Sequence, residues 1–100
     1  MKLQMFAVYD SAVTAYMPPF FTRSKGEALR SFSDACNSKD SNFNKYAADY
    51  TLYFVGEYDD VTANFFDVVP VRIVGARECL VDGFDAPEVE AVKLDRRMPM

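Results

Sequence analysis

The hydrophobic pattern of the chain begins as a β-strand. Apolar side chains occupy every second position near the amino terminus, namely Leu3, Met5, Ala7 and Tyr9. This alternation is typical of a strand with one face on a core. A turn and a second strand are predicted to follow before the period changes.

From Ser24 onward the pattern becomes that of a helix. Apolar residues fall at three- and four-residue spacings, at Ala28, Leu29, Phe32, Ala35 and Cys36, which predicts one buried helix face. Ser24 is expected to accept hydrogen bonds from the first-turn amides, and Glu27 to reach back to the Ser24 N–H as in a capping box. Asn37 is expected to end the helix in a left-handed conformation.

The second half of the chain predicts an antiparallel pair of strands. Residues 51–58 have the clearest strand pattern after the first strand. Residues 59–63 are predicted to connect them to a second, antiparallel strand over residues 65–74. Pro70 argues for an edge strand or a bulge, because it has no N–H to donate. A short helical turn is predicted over 45–48. The fold class predicted is α+β in the order ββαββ, a small antiparallel sheet of three to four strands with one main helix.

Length and composition predict one domain. One hundred residues are too few for a second core, which is improbable below about 150 residues. With 50% hydrophobic and 15% aromatic residues, we expect an ordered core over residues 1–82. Residues 83–100 mix charges with single apolar residues, so we expect a mobile tail there. No long apolar run or signal peptide is visible, so no membrane is expected and the cytoplasm is the default compartment.

The chemistry-bearing residues are few. The chain has no histidine, the most common general base, and its two cysteines, Cys36 and Cys79, lie far apart. An ordinary zinc site is therefore excluded, and two free, mostly buried thiols are favoured over a disulfide. Turn chemistry explains Asp59 and Asp60. We expect no enzymatic activity, no metal site and no cofactor.

The charge of the chain argues against non-specific binding to nucleic acid. The formal net charge is −4, from 15 acidic and 11 basic residues. Residues 1–58 hold six of each sign, so the whole acidic excess lies in residues 59–100. Affinity for phosphates rises with the number of cations placed on them, which makes an acidic chain a poor non-specific DNA binder.

Alternation sorts the two strongest strands into two predicted faces. The more apolar face, expected to take the helix, carries Leu3, Met5, Ala7, Tyr9, Leu52, Phe54, Gly56 and Tyr58. The other face carries Phe6, Val8, Tyr53 and Val55 without an obvious cover. We interpret it as the interface of a homodimer, as a face covered by residues 65–85, or as a stacking platform for bases of single-stranded DNA.

The stacking interpretation needs cations for the phosphates. Its predicted nucleic-acid-binding residues are Lys2, Phe6, Arg23, Lys25, Tyr53 and Arg72. Phe6 and Tyr53 would stack on bases, and Arg23 and Lys25 would bind phosphate beside the free amides of the helix start. The alternative at the helix start is a capped helix with no phosphate site. The neighbouring aromatic rings, Phe20 and Phe21, would then pack in the core.

Several segments together resemble a known phage family. They are the Met-Lys-Leu start, Val8-Tyr9-Asp10, Pro19-Phe20-Phe21, Arg30-Ser31-Phe32 and the run from Leu52 to Asp60, and they span roughly residues 1–75. They resemble the small nonstructural protein of gokushoviruses, single-stranded-DNA phages of the microvirus group. The family's usual Thr-Gly after the aspartates is replaced by Val61-Thr62-Ala63-Asn64.

The resemblance implies a function. Such proteins are likened to the microvirus C proteins, which act when replication switches to single-strand synthesis and genome packaging. It implies single-stranded DNA or the viral replication complex as partner, in the host cell cytoplasm. A homodimeric adaptor that recruits a replication protein without touching DNA is the alternative.

Overall fold

Five strands and three α-helices follow one another in residues 1–81, the part of the chain that the computed structural model describes. The strands are β1 (Lys2–Asp10), β2 (Ala15–Tyr16), β3 (Phe20–Thr22), β4 (Tyr50–Asp59) and β5 (Asn64–Gly75). The helices are α1 (Lys25–Cys36), α2 (Asn42–Lys45) and α3 (Ala76–Cys79), with a 3-10 turn at Ala47–Asp49. The predicted tail, 83–100, lies outside the described residues.

All strand pairs form one curled antiparallel sheet. Its order is β2-β1-β4-β5, and β3 pairs with the part of β1 that β2 leaves free. The predicted α+β class is confirmed. The strand count is higher than predicted because the expected second strand is split into β2 and β3 around Pro18 and Pro19, which have no N–H for a ladder. The short helices α2 and α3 are additional to the predicted order ββαββ.

Helix α1 buries the face that its sequence predicts. Ala28, Phe32 and Cys36 are buried, and the Glu27 N–H donates to Ser24 Oγ at 3.2 Å. The Glu27 carboxylate does not reach the Ser24 N–H; it accepts from the Arg23 N–H, one residue earlier, at 2.8 Å.

The helix ends differently from the prediction. Asn37 has φ −94° and ψ 1°, so the expected left-handed cap is wrong. Its side-chain amide instead donates to the Cys79 carbonyl at 2.9 Å and accepts from the Val81 N–H at 2.8 Å. The residue that ends α1 therefore also holds the chain after α3.

A bulge at Val55 decides which side chains of β4 face α1. Phe6 pairs with Phe54, but its neighbour Met5 pairs with Gly56, so Val55 is an extra residue in β4. Alternation along β4 reverses at this point. Phe54 therefore lies on the α1 side with Phe6, whereas Gly56 lies on the opposite side with Met5.

The predicted assignment of faces is therefore wrong for β1. Phe6 is completely buried and Val8 is 5% exposed, and both belong to the core with Phe32, Cys36 and Leu52. The reason is that β1 is apolar on both faces, so its alternation alone does not say which face the helix covers. The α1 side takes the bulky Phe6 and Val8. Met5 and Ala7 are also buried but lie outside this core cluster.

Gly56 makes the bulge possible. Its φ is +148°, and a Cβ there would lie 2.4 Å from the Phe66 carbonyl oxygen and 2.9 Å from Met5 Cε. A side chain would therefore meet both an unfavourable backbone conformation and a backbone atom that cannot move aside.

The β4–β5 hairpin follows the sequence prediction. Asp59 ends β4 and its Oδ1 accepts from the Val61 N–H at 2.9 Å, the turn chemistry expected of the aspartate pair. Among the described strands β5 forms one edge of the sheet, and Val68–Pro70 bulge out between the pairs Gly56↔Asp67 and Phe54↔Val71. The prediction that Pro70 marks an edge or a bulge is confirmed.

The remaining features of the described residues carry no site. Cys36 and Cys79 are free thiols, and burial, with Cys79 nearby, raises the pKa of Cys36 to about 12. Within residues 1–81 no group of three or more histidine, cysteine, aspartate or glutamate side chains is placed to hold a metal ion. None of the helices described is long and apolar enough to cross a membrane.

Candidate functional site

Within residues 1–81, no helix lies against one of the two faces of the sheet, which we call the open face. Strand pairing places the following residues on it: Leu3, Met5, Ala7, Tyr9, Tyr16, Phe21, Thr51, Tyr53, Tyr58, Phe65 and Arg72. Six of these side chains are aromatic, and they come from all five strands. They gather into two clusters, one toward each end of β1.

The first cluster consists of three tyrosines. The ring centroids of Tyr9 and Tyr16 lie 4.9 Å apart, those of Tyr16 and Tyr53 lie 5.5 Å apart, and those of Tyr9 and Tyr53 lie 6.3 Å apart. Tyr16 is 45% exposed. Partial burial, with Tyr53 and Tyr9 beside it, raises the pKa of Tyr16, so the hydroxyl stays neutral at physiological pH. Tyr16 therefore offers an uncharged aromatic ring to solvent.

The second cluster, around Phe21, lies at the other end of the face. Phe21 and Tyr58 have centroids 5.6 Å apart, and Tyr58 and Phe65 have centroids 4.7 Å apart. Phe21 is 43% exposed and Phe65 is 61% exposed. The Phe21 ring is therefore not part of the core. It lies on the open face, as does its cross-strand partner Met5.

The open face carries little usable positive charge. Arg72 lies directly opposite Tyr53 on the neighbouring strand, and its guanidinium is 3.0 Å from the Glu78 carboxylate. The Gly75 N–H also donates to Glu78 at 3.0 Å, and this bond, together with Arg72, lowers the pKa of Glu78. The cation nearest to the tyrosine cluster is thus already partnered by a carboxylate.

The six residues predicted to bind nucleic acid do not form one site. Tyr53 and Arg72 are neighbours on the open face, whereas Phe6 is buried in the core. Lys2 lies on the α1 side, its Nζ 5.1 Å from the centre of the Phe66 ring.

The two cations at the helix start have other neighbours than the rings of the open face. Lys25 lines an apolar groove on the α1 side of the sheet, together with Gln4, Phe6, Phe54, Val71 and Ile73. The Arg23 guanidinium lies 3.1 Å from the Glu27 carboxylate, and both side chains are exposed. The structure therefore separates Lys2 and Lys25 from the rings of the open face.

The four residues of the predicted dimer interface do not share a surface either. Phe6 and Val8 lie beneath α1, and Tyr53 belongs to the tyrosine cluster on the opposite face. Val55 is the extra residue of the β4 bulge and has no pairing partner on β1. The register of β1 with β4 separates these residues, because Tyr53 pairs with Ala7 and not with Phe6 or Val8, and alternation within each strand does not give this register.

Sequence reasoning missed five of the six open-face rings. They are Tyr9, Tyr16, Phe21, Tyr58 and Phe65. Alternation assigns Tyr9 and Tyr58 to the covered face and indicates no role for Tyr16. A usable signal was the pairing of aromatic residues across short turns, such as Tyr9 with Tyr16, because such cross-strand pairs stabilise hairpins.

The fold and this face define a small α+β protein with an exposed aromatic sheet surface. The model of the Phage ORF5 protein family matches residues 3–79. The chain therefore belongs to the Phage ORF5 protein family and is a small phage accessory protein. No curated protein and no solved structure matches it significantly.

Proposed function

We propose that this phage accessory protein binds single-stranded DNA through the open face of its sheet. It would act in the switch to single-stranded DNA synthesis and genome packaging, in the cytoplasm of the host of a gokushovirus-like phage. The observation that carries the proposal is the pair of exposed aromatic clusters on a sheet face without a helix. No catalytic step, metal or cofactor is part of it.

Aromatic rings suit unpaired bases because every base has a π-face on which a ring can stack. Such stacking contributes about 1–3 kcal/mol per base and tolerates any sequence. Bases in a duplex are already stacked and offer only their edges in the grooves. The open face should therefore prefer single strands to duplex DNA.

Charge limits the affinity of this surface. Arg72 is the cation placed beside the tyrosine cluster, and Glu78 already neutralises it. Each phosphate contact adds about 0.7 to the salt slope for a single strand. We expect a slope near that of one contact, far below the slope of a basic DNA-binding protein.

The test is a titration of labelled single- and double-stranded oligonucleotides at two salt concentrations. Tyr16→Ala and Phe65→Ala should each weaken single-strand binding about 5- to 100-fold, the equivalent of one lost stacking contact. Tyr46→Ala is the matched control, because Tyr46 is 56% exposed but lies outside the open face. If the unmodified protein binds no single strand even at low salt, the proposal is wrong.

A double variant separates the open face from the helix start. Replacing Arg23 and Lys25 together with glutamine should leave binding unchanged if DNA lies on the open face. A uniform loss of affinity, with a salt slope lower by about two contacts, would instead place the phosphates at the helix start.

The second candidate function is a homodimeric adaptor that contacts the viral replication complex without touching DNA. The Arg72–Glu78 ion pair favours it, because it leaves the open face apolar rather than basic. An apolar contact between proteins should change little as salt rises, whereas DNA binding should weaken.

A further inference from the structure

Strand β5 forms one edge of the sheet. Within residues 1–81 it pairs with β4 on one side, and no described strand pairs with its other side. All nine residues from Asn64 to Arg72 are exposed. An edge of this length presents unpaired N–H and C=O groups, which natural proteins normally shorten, charge or cover.

The exposed residues of this edge strand are mainly apolar. They are Phe65, Phe66, Val68, Val69 and Val71, and Val69 reaches 84% exposure. A stretch of five large apolar side chains on one exposed strand is more than the scattered apolar residues of an ordinary surface.

We infer that a second copy of this chain covers the edge, so that the protein dimerises through two antiparallel β5 strands. The inference rests on the dimeric candidate function and gives its interface. It replaces the interface expected from sequence, and it does not require DNA binding.

The size of the edge fits a second copy. Its exposed apolar side chains offer about 500 Å² in one copy, and two copies would bury about 1,000 Å², the lower limit for a specific interface. A two-fold contact uses the same surface twice, so one apolar edge is sufficient for both partners.

The charges on β5 also suit a two-fold contact. Asp67 lies on one side of the bulge Val68–Pro70 and Arg72 lies on the other. Two antiparallel copies centred on this bulge bring Asp67 of each copy toward Arg72 of the other. Opposite charges in this arrangement favour the antiparallel register over a parallel one, in which like charges would meet.

Pro70 determines how the two strands meet. It has no N–H, and the chain bulges around it, so a hydrogen-bond ladder cannot run without interruption. The contact therefore depends on the apolar side chains, with backbone pairing on either side of the bulge.

The dimer would enlarge the open face. Antiparallel edge strands are related by a two-fold axis perpendicular to the sheet, so the open faces of both copies lie on the same side. The tyrosine clusters of both copies would then share one surface.

The experiment compares two exposed valines. Val69→Lys places a charge on the β5 edge, while Val61→Lys places the same charge on the hairpin connection, where Val61 is 80% exposed. Light scattering gives the mass of each variant. It is measured at about 50 µM, a concentration at which a dimer of moderate affinity is populated. We expect dimers for the unmodified protein and Val61→Lys, and monomer for Val69→Lys. Circular dichroism should show the same fold in all three.

Two results would overturn the inference. If Val69→Lys dimerises as well as Val61→Lys, the β5 edge is not the interface, although a dimer through another surface stands. If the unmodified protein is a monomer, both the edge contact and the dimeric candidate function are wrong. The DNA titration is a separate measurement, so failure of either proposal is recognisable by itself.

Discussion

Gly56 shows how a single residue shapes this sheet. It follows the bulged Val55 and has φ +148°, and a Cβ at this position would collide with the Phe66 carbonyl and the Met5 side chain. The close approach of β5 to β4 at this point requires that no side chain be present.

Gly56→Ala should therefore destabilise the protein by roughly 2 kcal/mol or more, since a strained conformation alone costs about 1–3 kcal/mol. Gly26→Ala is the control, because a Cβ there meets its nearest neighbour, Ser24 Oγ, at an ordinary 3.8 Å. That change should be neutral or stabilising, because alanine favours a helix over glycine by up to about 1 kcal/mol. Urea denaturation of both variants measures the difference; equal stabilities would contradict the strained position of Gly56.

Two phenylalanines test the assignment of the faces. Phe32 is 3% exposed beneath the sheet and Phe21 is 43% exposed on the open face. Phe32→Ala should lower the free energy of unfolding by about 3–5 kcal/mol through loss of burial and the cavity left behind. Phe21→Ala should cost clearly less in the same denaturation experiment. The reverse order would mean that the covered and open faces have been exchanged.

At the scale of elements, the start of α1 depends on pH through Glu27. The Arg23 N–H donates to its carboxylate, and this bond, with the Arg23 guanidinium, lowers the pKa of Glu27 from its ordinary value of 4.5. A lowered pKa means that ionised Glu27 stabilises the fold above about pH 4.5. This contribution is lost as pH falls through the folded-state pKa.

Glu27→Gln should accordingly lower the melting temperature at pH 7, and the difference from the unmodified protein should shrink toward zero at pH 3. Ser24→Ala provides a control that does not titrate: it removes the hydroxyl acceptor of the Glu27 N–H and should cost about 1 kcal/mol at both pH values. A Glu27→Gln effect that is equally large at pH 3 would mean that the charge of Glu27 is not what stabilises the helix start.

Asn37 connects two elements that are far apart in sequence. Its side chain makes hydrogen bonds to the Cys79 carbonyl and the Val81 N–H. At about 0.5–1.5 kcal/mol for each bond, Asn37→Ala should destabilise the fold by about 1–3 kcal/mol in urea denaturation. Asn42→Ala, at the exposed start of α2, is the comparison. If the two variants are equally stable, Asn37 does not hold α3 in place.

At the scale of the whole molecule, the sheet is protected unevenly. β1 and β4 each have strands on both sides, whereas β5 is an exposed edge. Backbone amides at the centre of the sheet should exchange with solvent most slowly, and the outward amides of β5 most quickly. Hydrogen exchange at low and high protein concentration measures this. Protection of β5 should rise with concentration if copies pair there, and β5 amides as slow as those of β1 in the monomer would contradict the edge position.

The charge distribution of the molecule bears on both candidate functions. Lys2 and Lys25 lie on the α1 side of the sheet, while the rings of the two open-face clusters lie on the other side. A strand of DNA on the open face would therefore gain from stacking more than from ion pairing. This separation of cations and rings follows from the fold and has no counterpart in the order of residues along the chain.

Elements whose stabilising contacts are local can be predicted from the sequence alone. The spacing of Ala28, Phe32 and Cys36 and the cap at Ser24 predict α1, because a helix makes its hydrogen bonds within four residues. The hairpin after Asp59 and the edge position of Pro70 are likewise local consequences of turn chemistry and of a missing N–H.

The covered face of the sheet and the grouping of the rings depend on tertiary contacts. Alternation predicts faces within an uninterrupted strand, but one extra residue, Val55, reverses it for the rest of β4. Tyr9, Tyr16 and Tyr53 become neighbours only when β2 and β4 pair with opposite sides of β1. The open face is therefore a property of strand register, which depends on contacts between residues distant in the chain and is not recorded in any local pattern.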